Sequence, residues 1–241
     1  MSKNPNSEID ISLIIPFFNE KDMLEECFQK TSSILNGANL SYEIIFVNDA
    51  SNDNSNLYFN QLKGIENLTI LKNEINSGQS LSILKAVKIS KYDIIVTLDG
   101  DCQNNPKDIP KLIEIYYNND YSLVGGIRLN RKDNLIKKIS SKLANKIRNF
   151  ILKDECIDTG CSLKIFDKKI FLILPFFKGI HRFLPALFKG YNKKTFFVNV
   201  QHRPRKHGNS KYGTFNRLFI GVIDLIRVVN IINKFKREIN D

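Results

Sequence analysis

An alternation along the first hundred residues constrains the fold most: short apolar runs closed by polar residues are separated by stretches of helical spacing. Ile11 to Ile15 is the first run, ended by Pro16, and a helix-like stretch follows from Glu20 to about Leu35. Tyr42 to Val47 is the second, with Asn48-Asp49-Ala50-Ser51-Asn52-Asp53 as its turn. Leu68 to Leu71 is the third, and Ser77 to Ser90 reads as a helix because Leu81, Leu84, Ala86 and Val87 recur at helical spacing. Tyr92 to Leu98 is the fourth strand. Strands and helices in this alternation imply βαβ units and an α/β fold, a mainly parallel central sheet flanked by helices, with a ligand site at the carboxyl ends of the strands. The polar residues that close the runs then converge: Asn19 and Glu20, Asn48 and Asp49, Asn76 and Gly78, Asp99 and Asp101.

Within that set, Asp99-Gly100-Asp101 carries the most chemistry. Side chains of an extended chain alternate, so the two carboxylates share a face and can hold one hard divalent cation, Mg2+ or Mn2+. In isolation Asp-Gly-Asp reads more readily as an ordinary acidic turn, since Asp and Gly favour turns. The remainder of the chain separates these readings.

At 241 residues and 42% hydrophobic content the chain makes one large domain, or one domain with an appendage. A formal charge of +11 calls for an anionic partner: a nucleotide diphosphate, a phospholipid surface or nucleic acid. No nucleic-acid-binding motif of recognised spacing is present, which argues against the last. Met1 to Asp10 is short and polar, so neither a signal peptide nor a transit peptide is expected. Cys27, Cys102, Cys156 and Cys161 show no Cys-X-X-Cys spacing, the pattern of reduced thiols in a cytoplasmic protein. A zinc site built with His202 and His207 is the weaker alternative.

The second half changes character. Asn134 to Lys153 reads as a basic amphipathic helix, with Leu135, Ile139, Leu143, Ile147 and Phe150 on one face and six Lys or Arg residues around them. Phe171 to Phe188 is apolar but broken by Pro175 and Pro185 and interrupted by Lys178, His181 and Arg182, so it should not span a bilayer. Leu218 to Ile232 is almost wholly apolar apart from Asp224, Arg227 and Asn230. It reads as an interfacial helix or as one packed on a core or dimer contact.

The motifs, in order, are Ile14-Ile15-Pro16-Phe17-Phe18-Asn19-Glu20, Val47-Asn48-Asp49-Ala50-Ser51-Asn52-Asp53, Asn76-Ser77-Gly78 and Asp99-Gly100-Asp101-Cys102-Gln103-Asn104-Asn105-Pro106. They continue with Gly126-Ile127-Arg128, Asp158-Thr159-Gly160-Cys161-Ser162-Leu163-Lys164, His181-Arg182-Phe183-Leu184-Pro185-Ala186-Leu187 and the stretch from Pro204 to Gly213. Together they resemble the family-two inverting glycosyltransferases of GT-A fold, in the dolichyl- or polyprenyl-phosphate sugar synthase branch typified by dolichol-phosphate mannosyltransferase. The resemblance runs through nearly the whole chain. It implies a GT-A domain over 1–212, with the basic helix and an apolar acceptor-side hairpin inside 134–190, and an amphipathic, membrane-interfacial helix over 213–241. It also implies site roles. Pro16, Phe18 and Glu20 face the nucleoside, Asp49 accepts from the nucleobase, and Asp99, Asp101 and Gln103 hold the metal and diphosphate. Arg128 and Ser141 contact the acceptor phosphate, while Arg205 and Lys211 lie in a basic loop that folds over the diphosphate, freed by Gly208 and Gly213. Asp101, Arg128, Arg205 and Lys211 are thus the expected catalytic set. The chain departs from the pattern at Asn48, where many members have Asp, and at Ala50, where they have Gly. Ser80 and Ser82 stand where small apolar residues are usual.

The implied activity is metal-dependent transfer of a sugar from a nucleotide-diphosphate sugar to a polyprenyl phosphate, with inversion, by a peripheral protein at the cytoplasmic face of a membrane. Oligomeric state is not written in these motifs. A phosphate monoester is largely ionised at neutral pH, its second pKa being about 6, and needs little help from a base. The rival acceptor is a hydroxyl of a surface polysaccharide or lipopolysaccharide, which needs a base, with Asp158 and His181 as candidates. A reading of another class is a non-catalytic nucleotide-binding module. The bland alternatives are Arg128, Arg205 and Lys211 as solvated charges, His181-Arg182 as a structural pair and Asp158 as a cap.

Overall fold

The computed structural model describes residues 9–38, 40–62, 64–128, 145–203 and 214–240, the side chains of 214–219 and 240 excepted. Four strands and three helices alternate first: β1 (Asp10–Phe17), α1 (Lys21–Asn36), β2 (Ser41–Asn48), α2 (Ser55–Gln61), β3 (Leu68–Lys72), α3 (Gln79–Ile89) and β4 (Ile94–Thr97). There follow α4 (Ile109–Asn118), β5 (Leu123–Arg128), a helix α5 described over 145–152, β6 (Lys164–Asp167), α6 (Lys168–Ile173), α7 (Leu184–Gly190), β7 (Thr195–Val200) and α8 (Thr214–Asn240). The strands form one seven-stranded sheet in the order β3-β2-β1-β4-β6-β5-β7. All neighbours are parallel except β6, which runs antiparallel to both β4 and β5.

The first four strands read as apolar runs because they are covered on both faces. Leu13, Ile15, Phe46 and Val96 join Leu24, Leu35, Leu112 and Tyr116 of α1 and α4 in one layer. Ile14, Ile45, Val47 and Ile95 face the other, made by Ile83 and Val87 of α3, Leu187 and Phe188 of α7, and Val228 and Ile232 of α8. β1 continues through Pro16 to Phe17, two residues past the expected stop. Pro16 is tolerated because its register partner is Val47 of β2, whereas β4 pairs only as far as Thr97 opposite Ile14, so the missing N–H breaks no ladder bond on that side.

Two expectations for the second half change in detail. Most of the apolar residues of Phe171 to Phe188 are core, with Phe171, Phe177, Phe183, Leu184, Leu187 and Phe188 buried and only Leu172, Ile173 and Phe176 exposed among the large ones. Asp224, one of the few polar residues of the apolar stretch 218–232, is buried in α8; it meets Arg182 Nη2 at 3.4 Å and Arg227 Nη1 at 3.2 Å. α8 lies close on α7: a Cβ at Gly190 would sit 2.5 Å from Ile232, and Tyr191 stacks on Phe235 with ring centres 3.8 Å apart. Among the described residues no helix is long and apolar enough to cross a membrane.

Candidate active site

The loops at the carboxyl ends of β1, β2 and β4 are laced together by backbone-directed polar groups. Asn19 Oδ1 accepts from Asn52 N at 2.9 Å, Ser51 Oγ accepts from Asn19 N at 2.9 Å, and Asp53 Oδ2 accepts from Lys21 N at 2.9 Å. Asn48 closes its own turn, accepting from Ser51 N at 2.8 Å and donating to Asn56 Oδ1 at 2.9 Å. Ala50, at the position where Gly is usual in the resembled family, holds φ +60°, the left-handed region that favours glycine. Phe18 and Glu20 are half-buried on the β1 loop and Pro16 is buried at the strand end.

Asp49 is 4% exposed and heavily engaged. Its Oδ1 accepts from Asn73 Nδ2 at 2.8 Å and Ser77 N at 2.9 Å, and its Oδ2 from Gly78 N at 2.8 Å. A carboxylate has about four acceptor positions, so three are taken by the loop that leads into α3. From the first residue of that helix, Gln79 donates to Asp99 Oδ1 at 2.7 Å. The two unusual serines follow. Ser80 Oγ accepts from Gly179 N at 2.9 Å and lies 2.6 Å from His181 Nδ1, while Ser82 Oγ accepts from Asn73 Nδ2 at 3.0 Å.

β4 ends at Thr97, so Asp99-Gly100-Asp101 is a turn and strand alternation does not set its geometry. Gly100 N donates to Pro16 O at 3.3 Å, and a Cβ at Gly100 would stand 2.7 Å from Phe17 Cβ, so only glycine lets the turn lie this close to β1. Asp101 Oδ1 accepts from Gln103 N at 3.1 Å. Burial, then the charge of Asp101, pushes the Asp99 carboxyl up to about 7, against the pull of Ser162, Lys164 and Arg128. Ser162 Oγ accepts from Asp99 N at 3.1 Å and from Asn104 Nδ2 at 2.6 Å, pinning the turn from the side of β6.

The chain entering the basic loop is tied to the same turn. Arg203 N donates to Gln103 O at 2.8 Å, Gln103 Nε2 to Arg203 O at 3.4 Å and Arg203 Nη2 to Asn105 Oδ1 at 3.0 Å. Arg205, Gly208, Lys211 and Gly213 of that loop, Ser141 and residues 134–144 of the basic helix, and His207 lie outside the described residues. His202 forms an isolated bridge with Asn104, and the four cysteines are buried free thiols. Among the described residues no three His, Cys, Asp or Glu side chains form a metal-holding group.

Arg128, expected at the acceptor phosphate, and Asp158, a candidate base only for a hydroxyl acceptor, meet each other. Asp158 accepts from Arg128 Nε at 2.8 Å, from Nη2 at 2.7 Å and from the Arg128 backbone N at 3.1 Å. His181 is held against α3 through Ser80; burial first, then Arg182 and Lys164, drive its imidazole down to about 3. His181-Arg182 thus divides its contacts between α3 and Asp224 of α8. Gln79, Ser162 and Lys164 are contributors that motif reading left without a role. Lys164 is buried and donates to Cys161 O. Its signal in the sequence is a charged residue next to the apolar pair Ile165-Phe166.

The described part of α5 is turned inside out. Arg148 points inward, to Asp154 at 2.8 and 3.1 Å and to Cys156 O, while Ile147 and Ile151 are exposed and Phe150 is 83% exposed.

The family model of Glycosyl transferase family 2 matches residues 12–172. This chain belongs to that family. The dodecaprenyl-phosphate galacturonate synthase of Rhizobium johnstonii is 32% identical over 233 residues, 95% of this chain and 69% of that protein. The undecaprenyl-phosphate 4-deoxy-4-formamido-L-arabinose transferase of Edwardsiella ictaluri is 32% identical over 206 residues, 84% of this chain and 63% of that one. This family-2 glycosyltransferase chain therefore spans about two thirds of the length of these relatives. Glucosyl-3-phosphoglycerate synthase from Mycobacterium tuberculosis, solved with Mn2+, UDP and glucosyl-3-phosphoglycerate, superposes with a TM-score of 0.69 at 14% identity, covering 92% of this chain and 78% of that one. The expected GT-A fold is borne out, α/β with a mostly parallel seven-stranded sheet.

Proposed function

We propose that this family-2 glycosyltransferase moves a sugar from a nucleotide-diphosphate sugar to a polyprenyl phosphate with inversion, using a divalent cation, as a peripheral protein on the cytoplasmic face of a membrane. The observation that carries the acceptor assignment is the state of the two candidate bases. Both carboxylate oxygens of Asp158 are engaged by a guanidinium, and burial drives the His181 imidazole down to about 3, so that imidazole is not poised near neutral pH to take a proton from a hydroxyl. A phosphate monoester, with a second pKa of about 6, is already ionised and requires no such base. Both relatives named above carry polyprenyl phosphates in their names.

The residues at the β4 turn fit a cation. Desolvation first, and then the neighbouring charge of Asp101, push the Asp99 carboxyl up, and a divalent ion relieves that crowding of negative charge. Two carboxylates also match the habit of Mg2+ and its like, which take one or two carboxylates and complete their shell with substrate phosphates and water. Asp99 and Asp101 would hold it, with Gln103 at the end of the same turn; when bound it supplies neutralisation of the charge that grows on the leaving diphosphate. Pro16, Phe18 and Glu20 border the nucleoside on the β1 loop, and the remaining acceptor position of Asp49 addresses the nucleobase. Arg205 and Lys211 supply positive charge to the diphosphate, and Arg128 with Ser141 receives the acceptor phosphate. The outward Ile147, Phe150 and Ile151 of α5 and the exposed Ile220, Ile223 and Ile226 of α8 supply apolar surface for the membrane, toward which a net +11 chain is drawn when the lipid is anionic.

The test incubates purified protein with polyprenyl phosphate and a panel of UDP- and GDP-sugars, with and without Mn2+. Transfer to the lipid phosphate that depends on Mn2+ and falls on the order of 100-fold or more in Asp101→Ala is the expected result. Transfer to a hydroxyl acceptor alone, or an Asp101→Ala variant of full activity, overturns it.

A further inference from the structure

We infer that Asp158 is a positioning residue: it grips one edge of the Arg128 guanidinium so that the opposite edge is presented to the acceptor phosphate. This rests on the lipid-phosphate reading above and adds a role for a residue that the reading leaves without one. Arg128 is the last residue of β5, so its backbone direction is set by the sheet. Asp158 then fixes the side chain at three points, accepting from the backbone N, Nε and Nη2 at 3.1, 2.8 and 2.7 Å, with both side chains 12% exposed. A guanidinium has five N–H donors in a rigid planar fork. The Nε–Nη2 edge is spent on Asp158, leaving the Nη1–Nη2 end, whose paired donors match two oxygens of a phosphate. Among the described residues nothing accepts from Nη1.

The local chain is shaped for this grip. A Cβ at Gly160 would lie 2.8 Å from Arg128 Nη2 and 3.7 Å from Asp158 Oδ1, so the glycine keeps open the space the pair occupies. Cys161 N donates to Asp158 O at 3.2 Å, closing the turn 158–161. The same turn reaches the metal-and-diphosphate side: Cys161 Sγ lies 3.6 Å from Asn104 Oδ1, and Ser162 Oγ accepts from Asn104 and from the backbone N of Asp99. Arg128 is therefore anchored to the same scaffold as the Asp-Gly-Asp turn. That is what in-line transfer between a diphosphate and a second phosphate requires of it. The Asp158 carboxylate, for its part, is spent on that guanidinium in bidentate contact.

The test is a double-variant cycle. Asp158→Asn and Arg128→Gln, singly and together, are assayed for transfer from the nucleotide sugar to polyprenyl phosphate with Mn2+. Circular dichroism melts confirm that each variant is folded. Asp158→Asn is expected to raise KM for the lipid phosphate about tenfold to a hundredfold while kcat changes less, and to leave the acid limb of the kcat–pH profile in place. In the Arg128→Gln background it should add little, because a residue that acts through Arg128 has nothing left to position. Gly160→Ala keeps both side chains and crowds Nη2, and should shift the acceptor KM in the same direction. An equal kcat loss in both backgrounds, or disappearance of the acid limb, identifies Asp158 as a base and overturns the inference. An acceptor KM unchanged in Asp158→Asn also overturns it. Failure of the unsubstituted protein to transfer to any polyprenyl phosphate refutes the function proposed above, a result read before any variant is compared.

Discussion

Asp49→Asn separates a structural carboxylate from a nucleobase-reading one. In the folded chain Oδ1 accepts two hydrogen bonds and Oδ2 one, all from the loop between β3 and α3. An Asn side chain of the same shape offers one oxygen and one NH2. Its better orientation keeps the oxygen at the two-donor position and turns the NH2 toward Gly78 N, where two donors then face each other. The loss is one hydrogen bond to a charged acceptor, about 1.5–3 kcal/mol, and weakening of the other two as the charge disappears. A total of about 3 kcal/mol corresponds to a Tm lower by about 6–12 °C for a chain of this size, at about 2–4 °C per kcal/mol. Urea titration followed by far-UV circular dichroism checks it: the midpoint should fall while the slope m stays constant. Activity should fall as well, since the displaced loop leads directly into Gln79, the first residue of α3, which bonds Asp99. An Asp49→Asn variant with an unchanged urea midpoint and a large loss of nucleotide affinity would refute the reasoning, because the carboxylate would then be spent on the base and not on the loop.

Four further outcomes follow from the same geometry. With the Asp99 carboxyl raised to about 7, against about 3.9 in an unfolded chain, the folded protein holds a proton that the unfolded chain has released between those values, so metal-free stability should decline as pH rises from about 4 to 7. A bound cation must displace that proton below pH 7; Mn2+ affinity measured by titration calorimetry should fall by up to about tenfold per pH unit below 7 and level off above it, and a flat profile from pH 6 to 8 would contradict the crowding of Asp99 by Asp101. Gly100→Ala places a methyl group 2.7 Å from Phe17 Cβ on a strand end that cannot yield, so a stability loss of about 1–3 kcal/mol should accompany loss of transfer, checked by denaturant titration and the sugar-transfer assay. Ala50→Gly relieves a left-handed backbone worth about 1–2 kcal/mol at the expense of about 0.5–1 kcal/mol of extra chain entropy, so a thermal melt should rise by a degree or two without change in activity.

The legible half of the fold is the half whose signal is local. Ile11 to Ile15, Tyr42 to Val47, Leu68 to Leu71 and Tyr92 to Leu98 all mark real strands, because strands covered on both faces must be apolar at successive positions. The strands β5 and β7 gave no such mark. β5 contains Gly125 and Gly126, placed there because a Cβ at Gly126 would meet Val200 and Cys161 at 2.8 and 2.9 Å, and β7 lies at the sheet edge with half-exposed side chains. The four-residue β6 is too short to show a period.

The site divides in the same way. Residue order alone identified the Asp99-Gly100-Asp101 turn, the Asn48-Asp49 turn and the glycosyltransferase family, because those groups act where a strand ends and their neighbours in sequence are their neighbours in space. The tertiary structure decided what each of them touches. Arg128 finds Asp158 across 30 residues, Ser80 finds His181 across 101, and Arg148 turns inward while Phe150 beside it turns out. Periodicity reports whether a position is covered; the identity of a polar partner depends on how separate elements dock, and burial makes that pairing costly to leave unmet.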